Sequence, residues 1–360
     1  MVPEICSERT SHKKVCGFQE KPHKGDIEQM TMNICFATDD NYVRPTAVAM
    51  MTVMLTNKNE EICFYILAQS LLEKNKEILK NTVQKYSPKS KIEFCFLADK
   101  MFSQFSFTIK ESDHVSLATY LRLYIPSLIP DSIDKILYLD GDIICTDSLA
   151  SLYETDLEGF SMAAVHDERT CDAENFERLK YPVENGYAAA GVLLINVDWW
   201  KKNNVQQKTL EFICNNKKIC IWHDQDALNK ILNGTIKFCH LKYNVYEQLY
   251  ENEINYPPEF YQEIKEATEN PVIIHFSSGR KPWHKESRCP FSPIWLKLYR
   301  QLFGKKCRLS HRYKGKVKVL WNLKRIADKL GIKKYEEFKK HTEFKELSEI
   351  IQKKLFGETL

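Results

Sequence analysis

An apolar run that leads directly into two carboxylates constrains this chain more than any other stretch. Residues 135–145 read Lys-Ile-Leu-Tyr-Leu-Asp-Gly-Asp-Ile-Ile-Cys, and such a continuous apolar run is typical of a strand buried on both faces. If the extended conformation persists, Asp140 and Asp142 project from one side, and Gly141 lets a ligand approach closely. Paired carboxylates of this kind suit Mg²⁺ or Mn²⁺ holding a phosphate. The alternative is an ordinary polar turn after a strand.

This stretch follows a regular alternation of strand and helix patterns. Apolar runs at 33–38, 62–67 and 92–97 predict strands, and helical spacing of apolar residues predicts helices at 42–56 and 71–86. The order implies a mostly parallel α/β sheet with helices on both faces. In such sheets ligands bind at the carboxyl ends of the strands, which is where the two aspartates lie.

Later apolar runs extend the α/β pattern to about residue 303. They predict strands at 162–165, 187–197, 236–241 and 272–276, helices at 117–128, 199–215, 257–269 and from His223, and a loop or helical flap at 174–185. We therefore predict a polar leader at residues 1–30 and a single α/β domain at 31–303.

Polar residues at the ends of the predicted strands are candidates for binding. Asp39, Asp40 and Asn41 follow the first strand, where they could contact a nucleotide or cap the next helix. His275 ends the last strand and could ligate a metal or form only a hydrogen bond. Arg122 precedes the aspartate strand and could reach a pyrophosphate or form a surface salt bridge.

The composition excludes several classes of protein. The chain has 360 residues, 43% of them hydrophobic and 28% charged, which is an ordinary globular balance. Its 12 cysteines include no Cys-x-x-Cys pair, so neither a disulfide framework nor a structural zinc site is expected. No stretch reaches the ~20 apolar residues of a transmembrane helix. Residues 1–30 lack the apolar core of a secretory signal, so we expect a cytoplasmic protein.

The C-terminal segment, residues 304–360, begins with a strongly basic stretch. Between Gln301 and His341 there are 14 Lys and Arg against three acidic residues, a net charge of +11 within a chain of net +4. Apolar residues such as Leu320, Trp321 and Ile326 lie among the basic ones at a spacing that suits an amphipathic helix. We expect this helix to dock on an anionic membrane surface. The alternative is a helix packed on the preceding domain; no nucleic-acid recognition motif accompanies the charge.

Four motifs together resemble one protein family. They are the FATDDNY stretch at 36–42, LYLDGDIIC at 137–145, AAGVLLIN at 189–196 with DQDALN at 224–229, and HFSSGRKPWH at 275–284. In this order and spacing the chain resembles glycosyltransferase family 8 over residues 33–295, especially bacterial lipopolysaccharide and lipooligosaccharide glucosyl- and galactosyltransferases.

The resemblance implies a fold, a reaction and a set of site residues. It implies the GT-A fold, a UDP-sugar donor such as UDP-galactose or UDP-glucose, a divalent cation (Mn²⁺ or Mg²⁺), a glycan or glycolipid acceptor, and retention of anomeric configuration. The implied metal ligands are Asp140, Asp142 and His275. The implied donor-binding residues are Ala37, Thr38, Asp39, Asp40, Asn41, Tyr42, Arg122, Gly141, Ala189, Gly279 and Lys281. Asp167, Asp224 and Gln225 match catalytic positions around the donor sugar.

One position departs from the family pattern. Where the family commonly has Phe-Asn before Ala-Gly, this chain has Ala188 and Ala189, so an asparagine that normally contacts the donor sugar is absent. The departure keeps a non-catalytic nucleotide-sugar-binding protein open as an alternative. A phosphohydrolase of the haloacid dehalogenase type is a further alternative. Its aspartate pair, however, lies near the start of the fold and is usually followed by Thr or Val where this chain has Ile144.

The resemblance also directs the prediction of location. A lipid-linked acceptor would be presented at a membrane surface, so we expect peripheral association with the cytosolic face of the inner membrane through the basic segment.

Overall fold

A seven-stranded sheet forms the centre of the protein. The computed structural model describes residues 31–98, 117–251, 254–287, 289–330 and 341–357, so the prediction of a leader at 1–30 lies outside the described residues. The strand order is β3-β2-β1-β4-β7-β6-β8. These strands are β1 (Met32–Ala37), β2 (Ile62–Ala68), β3 (Lys91–Phe96), β4 (Lys135–Leu139), β6 (Met162–Ala164), β7 (Val192–Asn196) and β8 (Ile236–Phe238).

Most neighbouring strands of this sheet run parallel, as the order of elements predicts. Strands β3, β2, β1 and β4 are parallel, and β8 is parallel to β6. Strand β7 runs antiparallel to both of its neighbours, β4 and β6. Its reversal brings the start of β7 beside the carboxyl end of β4, where the Asp140 N–H donates to the Gly191 carbonyl at 2.9 Å.

Helices cover both faces of the sheet, as predicted. The α-helices are α1 (Val43–Thr56), α2 (Glu73–Tyr86), α3 (Ile125–Leu128), α4 (Ala150–Tyr153), α5 (Ala173–Leu179), α6 (Val197–Lys202), α7 (Val205–Asn215), α8 (His223–Leu232), α9 (Tyr261–Glu269), α10 (Ser292–Phe303), α11 (Gly315–Lys329) and α12 (His341–Phe356). Alternate residues of β1 enter opposite cores: Ile34 and Phe36 pack with α1 and α2, while Cys35 and Ala37 pack with α7 and α8.

Several predicted elements are shorter or divided in the structure. The helix predicted at 117–128 is a 3-10 helix, Leu117–Tyr124, followed by the short α3 with a proline in its first turn. The helix predicted at 199–215 is divided because Asn204 has a left-handed backbone with φ 52°. The strand predicted at 187–197 is restricted to β7. The polar flap predicted at 174–185 contains α5 and a 3-10 helix, Val183–Asn185.

The extended conformation does not persist through the aspartate pair. Strand β4 ends at Leu139, residues 140–142 form a turn, and the chain then enters a second, three-stranded sheet. This sheet contains β5 (Ile143–Cys145), β9 (Val245–Tyr246) and β10 (Ile273–His275) in the order β5-β10-β9. The aspartates therefore lie at the corner between two sheets.

The basic C-terminal segment forms two helices with different surroundings. In α12 the side chains of Phe344, Ile351 and Leu355 are buried in a core that includes α10, so this helix is packed on the domain. In α11 the apolar side chains of Leu320 and Leu323 are about 60% exposed. The basic amphipathic helix of the prediction is α11, and the packed-helix alternative does not describe it, whereas the following α12 is packed. Within the described residues, no helix combines the length and apolarity needed to cross a membrane.

Candidate active site

Two aspartates and a histidine converge at the corner between the two sheets. His275 is paired with Ile143 across antiparallel β10 and β5, so the imidazole lies directly beside the turn that contains Asp140 and Asp142. Its Nε2 lies 3.3 Å from Asp142 Oδ1 and 3.7 Å from Asp140 Oδ2. One ligand atom from each residue lies within 4.8 Å of the other two. The structure thus brings together all three residues predicted to hold a metal.

The hydrogen bonds of His275 suit the imidazole to a metal. Its Nδ1 lies 2.9 Å from the Asn244 side-chain carbonyl oxygen, which can only accept a hydrogen bond. Nδ1 therefore bears a proton, and Nε2 is the nitrogen that faces the carboxylates and could ligate a metal. Two carboxylates with one imidazole form a donor set that fits Mn²⁺ or Mg²⁺.

Asp142 is the most strongly paired carboxylate of the cluster. Its Oδ2 accepts a hydrogen bond from the Tyr42 hydroxyl at 3.1 Å and contacts the Lys281 ammonium. Burial alone would raise the pKa of the Asp142 carboxyl, but the charges of Lys281 and His275 more than offset it. The pKa therefore lies well below its ordinary value, and Asp142 is ionised at neutral pH.

Gly141 is needed where the turn passes the start of α1. A β-carbon at this position would lie 2.7 Å from Thr46 Oγ1 and 3.2 Å from the Tyr42 ring, which is closer than side chains tolerate. The Thr46 hydroxyl in turn contacts that of Thr38 at 3.0 Å. The glycine therefore lets the aspartate turn approach the end of β1.

Arg122 links the metal cluster to helix α8. This buried guanidinium lies 3.2 Å from Asp140 Oδ1 and 3.0 Å from Asp224 Oδ2, and it donates to the Ala190 carbonyl. Burial alone would lower the pKa of Arg122. The charges of the two aspartates raise this pKa by more than burial lowers it, so the net shift is upward. Burial raises the pKa of the Asp224 carboxyl despite its pairing with Arg122. The surface salt bridge considered for Arg122 is therefore a buried one.

Gln225 is held by hydrogen bonds at both ends of its amide. Its Oε1 accepts from the Ala190 N–H at 3.0 Å, and its Nε2 donates to Asp167 Oδ2 at 3.3 Å. Asp167 also accepts from the backbone and the guanidinium of Arg169, at 3.0 and 2.5 Å. The three residues predicted to be catalytic, Asp167, Asp224 and Gln225, thus all lie in the wall of one cavity.

The residues of the FATDDNY stretch have different environments. Ala37, Thr38 and Tyr42 line the cavity. Asp39 accepts hydrogen bonds from the Asn41 and Tyr42 N–H groups at 2.9 and 3.0 Å, as a helix cap does. Asp40 Oδ1 accepts from the Leu72 N–H and the Asn75 amide at the start of α2, and the Asn75 bond lowers its pKa. Asn41 is exposed. A nucleotide-binding role for Asp39, Asp40 and Asn41 stays a prediction.

The cavity that these residues share has a volume of about 480 Å³, which is typical of a small-molecule site. Ala189, Gly279 and Lys281 also line it. The Ala189 N–H donates to the Val165 carbonyl at 2.9 Å. The structure therefore collects most of the predicted site residues around one space.

Sequence reasoning missed several further residues of the cavity wall, and four of them are polar or aromatic side chains with a bearing on ligand binding. They are Arg169, Trp222, Asn244 and Gln248. Buried polar atoms of three of them, Arg169 Nε, Asn244 Nδ2 and Gln248 Oε1, have no hydrogen-bond partner in the structure. Unpaired polar atoms in a cavity wall indicate a polar ligand, because burying them unpaired is costly. Trp222 lies two residues before the DQDALN motif and Arg169 lies two residues after Asp167, so proximity in sequence could have found these two.

Helix α8 is anchored by Asp226, which does not line the cavity. Its buried carboxylate pairs with the Arg178 guanidinium at 2.8 and 3.0 Å and accepts from the Tyr187 hydroxyl and the Trp222 N–H. The acidic start of this helix therefore has a structural role at Asp226 and a site role at Asp224.

Comparisons with known proteins agree with this geometry. The family model described as glycosyl transferase family 8 matches residues 33–287. General stress protein A of Bacillus subtilis is 31% identical over 72% of this chain and 90% of its own length. A lipopolysaccharide 1,2-glucosyltransferase of Escherichia coli is 27% identical over 89% of this chain and 94% of its own. The crystal structure of the galactosyltransferase LgtC with donor and acceptor sugar analogues is 26% identical, covers 76% of this chain and 96% of its own, and superposes with a TM-score of 0.67.

Proposed function

The chain belongs to glycosyltransferase family 8, and we propose that it transfers a hexose from a UDP-sugar to a saccharide acceptor with retention of configuration and with a divalent metal. Family membership and the GT-A fold support a hexosyltransferase. They also replace the phosphohydrolase alternative, because the family match and the fold are those of glycosyltransferases. In our proposal the aspartate pair holds a metal and does not supply a nucleophile with its acid. The metal, the UDP-sugar and the stereochemistry are the finer parts of the proposal.

The cluster of Asp140, Asp142 and His275 is the observation that supports the proposal most strongly. Residues far apart in the chain place two carboxylates and an imidazole within 4.8 Å of one another in a cavity wall. These residues would hold Mn²⁺ or Mg²⁺, which when bound neutralises the charge that develops on a diphosphate leaving group.

The chain's own cations have defined tasks in this proposal. Lys281 Nζ contacts Asp142 and donates to the Phe276 carbonyl at 2.7 Å, so it is positioned beside the metal ligands. A second positive charge at this point would stabilise the leaving diphosphate. Arg122 pairs with both Asp140 and Asp224 and so holds the two carboxylates in place.

The pairing of the cavity carboxylates supports retention without a covalent intermediate. A retaining enzyme with a covalent intermediate needs a free carboxylate beneath the sugar. Among the described residues of the wall, Asp167 and Glu168 pair with Arg169, Glu168 at 3.8 Å, and Asp224 pairs with Arg122. The carboxylates of Asp140 and Asp142 belong to the metal cluster. Gln225 bears an amide, which is a poor nucleophile, and both of its ends are hydrogen-bonded. We therefore propose front-face attack by the acceptor on an oxocarbenium-like ion pair.

An exposed aromatic side chain marks the acceptor side of the cavity. The Trp222 indole is 42% exposed and stacks on the Arg169 guanidinium, whose carbon lies 3.7 Å from the ring centroid. A rigid, half-exposed aromatic surface suits the apolar face of a sugar ring. We propose that the acceptor sugar packs on Trp222.

Helix α11 supports the proposal of a lipid-linked acceptor. Its apolar side chains Val319, Leu320, Leu323 and Ile326 are exposed on one side, whereas Lys318 and Arg325 lie on the other. Such a helix suits an anionic membrane surface, with the apolar side inserted. A relative with matching length is a lipopolysaccharide glucosyltransferase. We therefore propose a lipopolysaccharide or lipooligosaccharide core as acceptor, at the cytosolic face of the inner membrane.

The experiment is a donor screen followed by an acceptor screen. Purified protein with Mn²⁺ is incubated with each UDP-hexose, and release of UDP is measured without an acceptor and then with truncated lipid-linked core oligosaccharides. We expect turnover of UDP-galactose or UDP-glucose and an α-linked product by NMR coupling. A β-linked product would refute retention. Binding of UDP-sugar with no turnover on any acceptor would favour the non-catalytic alternative that the Ala189 departure leaves open.

A further inference from the structure

A cation from outside the family-matched region lies against the phosphate-binding loop. The family match ends at residue 287, and Arg312 belongs to the segment that follows α10. Its guanidinium occupies the space that a β-carbon on residue 279 would need, so the Arg312 side chain packs directly on the backbone of Gly279. Gly279 itself lines the cavity, two residues before Lys281. The guanidinium therefore lies directly against a loop that borders the site.

The Arg312 segment is held in this position by specific hydrogen bonds. The Ser310 N–H donates to the Trp283 carbonyl at 3.0 Å, and the Lys285 N–H donates to the Ser310 carbonyl at 2.9 Å. The carboxylate of Glu286, which is fully buried, contacts His311 Nδ1 at 2.9 Å and accepts from the Arg312 N–H at 3.0 Å. The backbone of Arg312 is therefore clamped to the loop that follows β10.

The side chain of Arg312, in contrast, has no anionic partner among the residues that the structure describes. In the part of the chain that the structure describes, no carboxylate lies within ion-pair distance of its guanidinium, and its buried Nε has no hydrogen-bond partner. Leaving a partly buried charge unpaired is costly, so a site that holds one in place indicates an anionic ligand. The fork of guanidinium donors matches a phosphate in particular.

We propose that Arg312 is a further donor-binding residue that supplies a positive charge to the diphosphate of the nucleotide sugar, from a segment beyond the family-matched region. The inference rests on the proposed function, because it places the diphosphate between the metal cluster and the loop of Gly279 and Lys281. Lys281 contacts Asp142 of the metal cluster. Arg312, from the C-terminal segment, contacts the loop at Gly279. The two cations would thus stabilise the same leaving group from different directions.

The test compares Arg312→Gln with Arg308→Gln, which removes the same charge from an exposed position of the same segment. Affinities for UDP and for uridine are measured by calorimetry with the full chain and Mn²⁺. We expect Arg312→Gln to weaken UDP binding by roughly 10- to 100-fold, as the loss of one charged hydrogen-bonding group does, and to leave uridine binding unchanged. Arg308→Gln should match wild type with both ligands.

The outcomes separate this inference from the proposed function. If wild-type protein does not bind UDP, the proposed function fails and the inference fails with it. If wild type binds UDP and Arg312→Gln binds it equally well, the inference alone is overturned. An equal loss of UDP and uridine binding would also overturn it, because it would indicate a structural role. If Arg312→Gln does not fold, Arg312→Lys is tested in its place. We expect Arg312→Lys to weaken UDP binding by a smaller factor, and UDP binding equal to that of wild type would overturn the inference.

Discussion

At the corner between the two sheets, a three-residue turn changes the direction of the chain and provides two of the three candidate metal ligands. Asp140 ends β4, Gly141 passes α1, and Asp142 begins the approach to β5. The motif therefore forms a turn, and this turn places both carboxylates where the proposed metal site needs them. The carboxylates converge because the chain bends and β10 brings His275 beside them, not because a straight strand projects them to one side.

Replacement of Ala189 by asparagine tests the departure from the family pattern. Ala189 lines the cavity beside Ala190, whose N–H donates to Gln225. In Ala189→Asn a polar side chain enters the part of the cavity proposed to hold the donor sugar. A hydrogen bond to a sugar hydroxyl can discriminate strongly between donors that differ in that hydroxyl. We expect the ratio of kcat/KM for UDP-glucose and UDP-galactose to change by roughly 10-fold or more. Affinity for UDP should stay at the wild-type value; unchanged donor ratios would show that position 189 does not select the sugar.

Individual site residues could be predicted from the sequence only where they lie in a recognisable motif. Asp140, Asp142 and His275 follow apolar strands, and the structure brings them together as predicted. Asn244 and Arg312 are not marked by any local pattern, because their positions depend on contacts with β10 and with the loop after it. Such long-range contacts are not encoded in spacing along the chain.

At the scale of elements, the alternation of apolar runs predicted the type of most helices and strands. The predicted helices differ from the observed ones where the backbone conformation interrupts a helical pattern of apolar residues. This happens at Asn204, which has a left-handed backbone, and at the proline in α3. The basic segment shows the same limit. Its charge and apolar spacing predict amphipathic helices, but they do not show that α12 buries its apolar side while α11 exposes it.

Exposed apolar residues of α11 provide the test of membrane docking. In the double variant Leu320→Ser/Leu323→Ser the basic charge is kept while apolar insertion is lost. We expect binding to anionic liposomes to weaken and to become more sensitive to salt, because only the screened electrostatic attraction is left. Ile350→Ser, which changes an exposed residue of α12, is the control. Equal liposome binding by the double variant and wild type would rule this docking mode out.

The loop after β6 contains a histidine that makes stability depend on pH. Burial lowers the pKa of His166 from 6.5 to about 4, and its ring stacks on Phe238 at 3.5 Å between centroids. The unfolded state therefore binds more protons between these two pKa values, and the folded state loses stability as pH falls through that window.

Replacement of His166 by phenylalanine should remove this contribution. Both proteins are compared at pH 7 and pH 5. We expect the free energy of unfolding of wild type to decrease between these pH values by about 2 kcal/mol more than that of His166→Phe. Urea unfolding at the two pH values measures the difference. A parallel decline in both proteins would contradict the assignment to His166.

At the scale of the whole molecule, strand topology produces the site. The parallel strands β1 and β4 direct their carboxyl ends into the cavity, antiparallel β7 starts there, and the second sheet adds β10. The order of elements predicted the parallel part of the sheet. It did not predict the second sheet, because β5, β9 and β10 have two or three residues each and too little periodicity to be paired from sequence.

Metal-dependent release of UDP from the preferred UDP-hexose tests the central claim most directly. The rate is measured for wild type with Mn²⁺, after excess EDTA, and after Mn²⁺ is added back, and for Asp142→Asn with Mn²⁺. We predict that EDTA abolishes release, that Mn²⁺ restores it, and that Asp142→Asn lowers kcat by about 100-fold or more while the protein stays folded by circular dichroism. Undiminished release in EDTA, together with near wild-type turnover by Asp142→Asn, would contradict a metal-dependent glycosyltransferase.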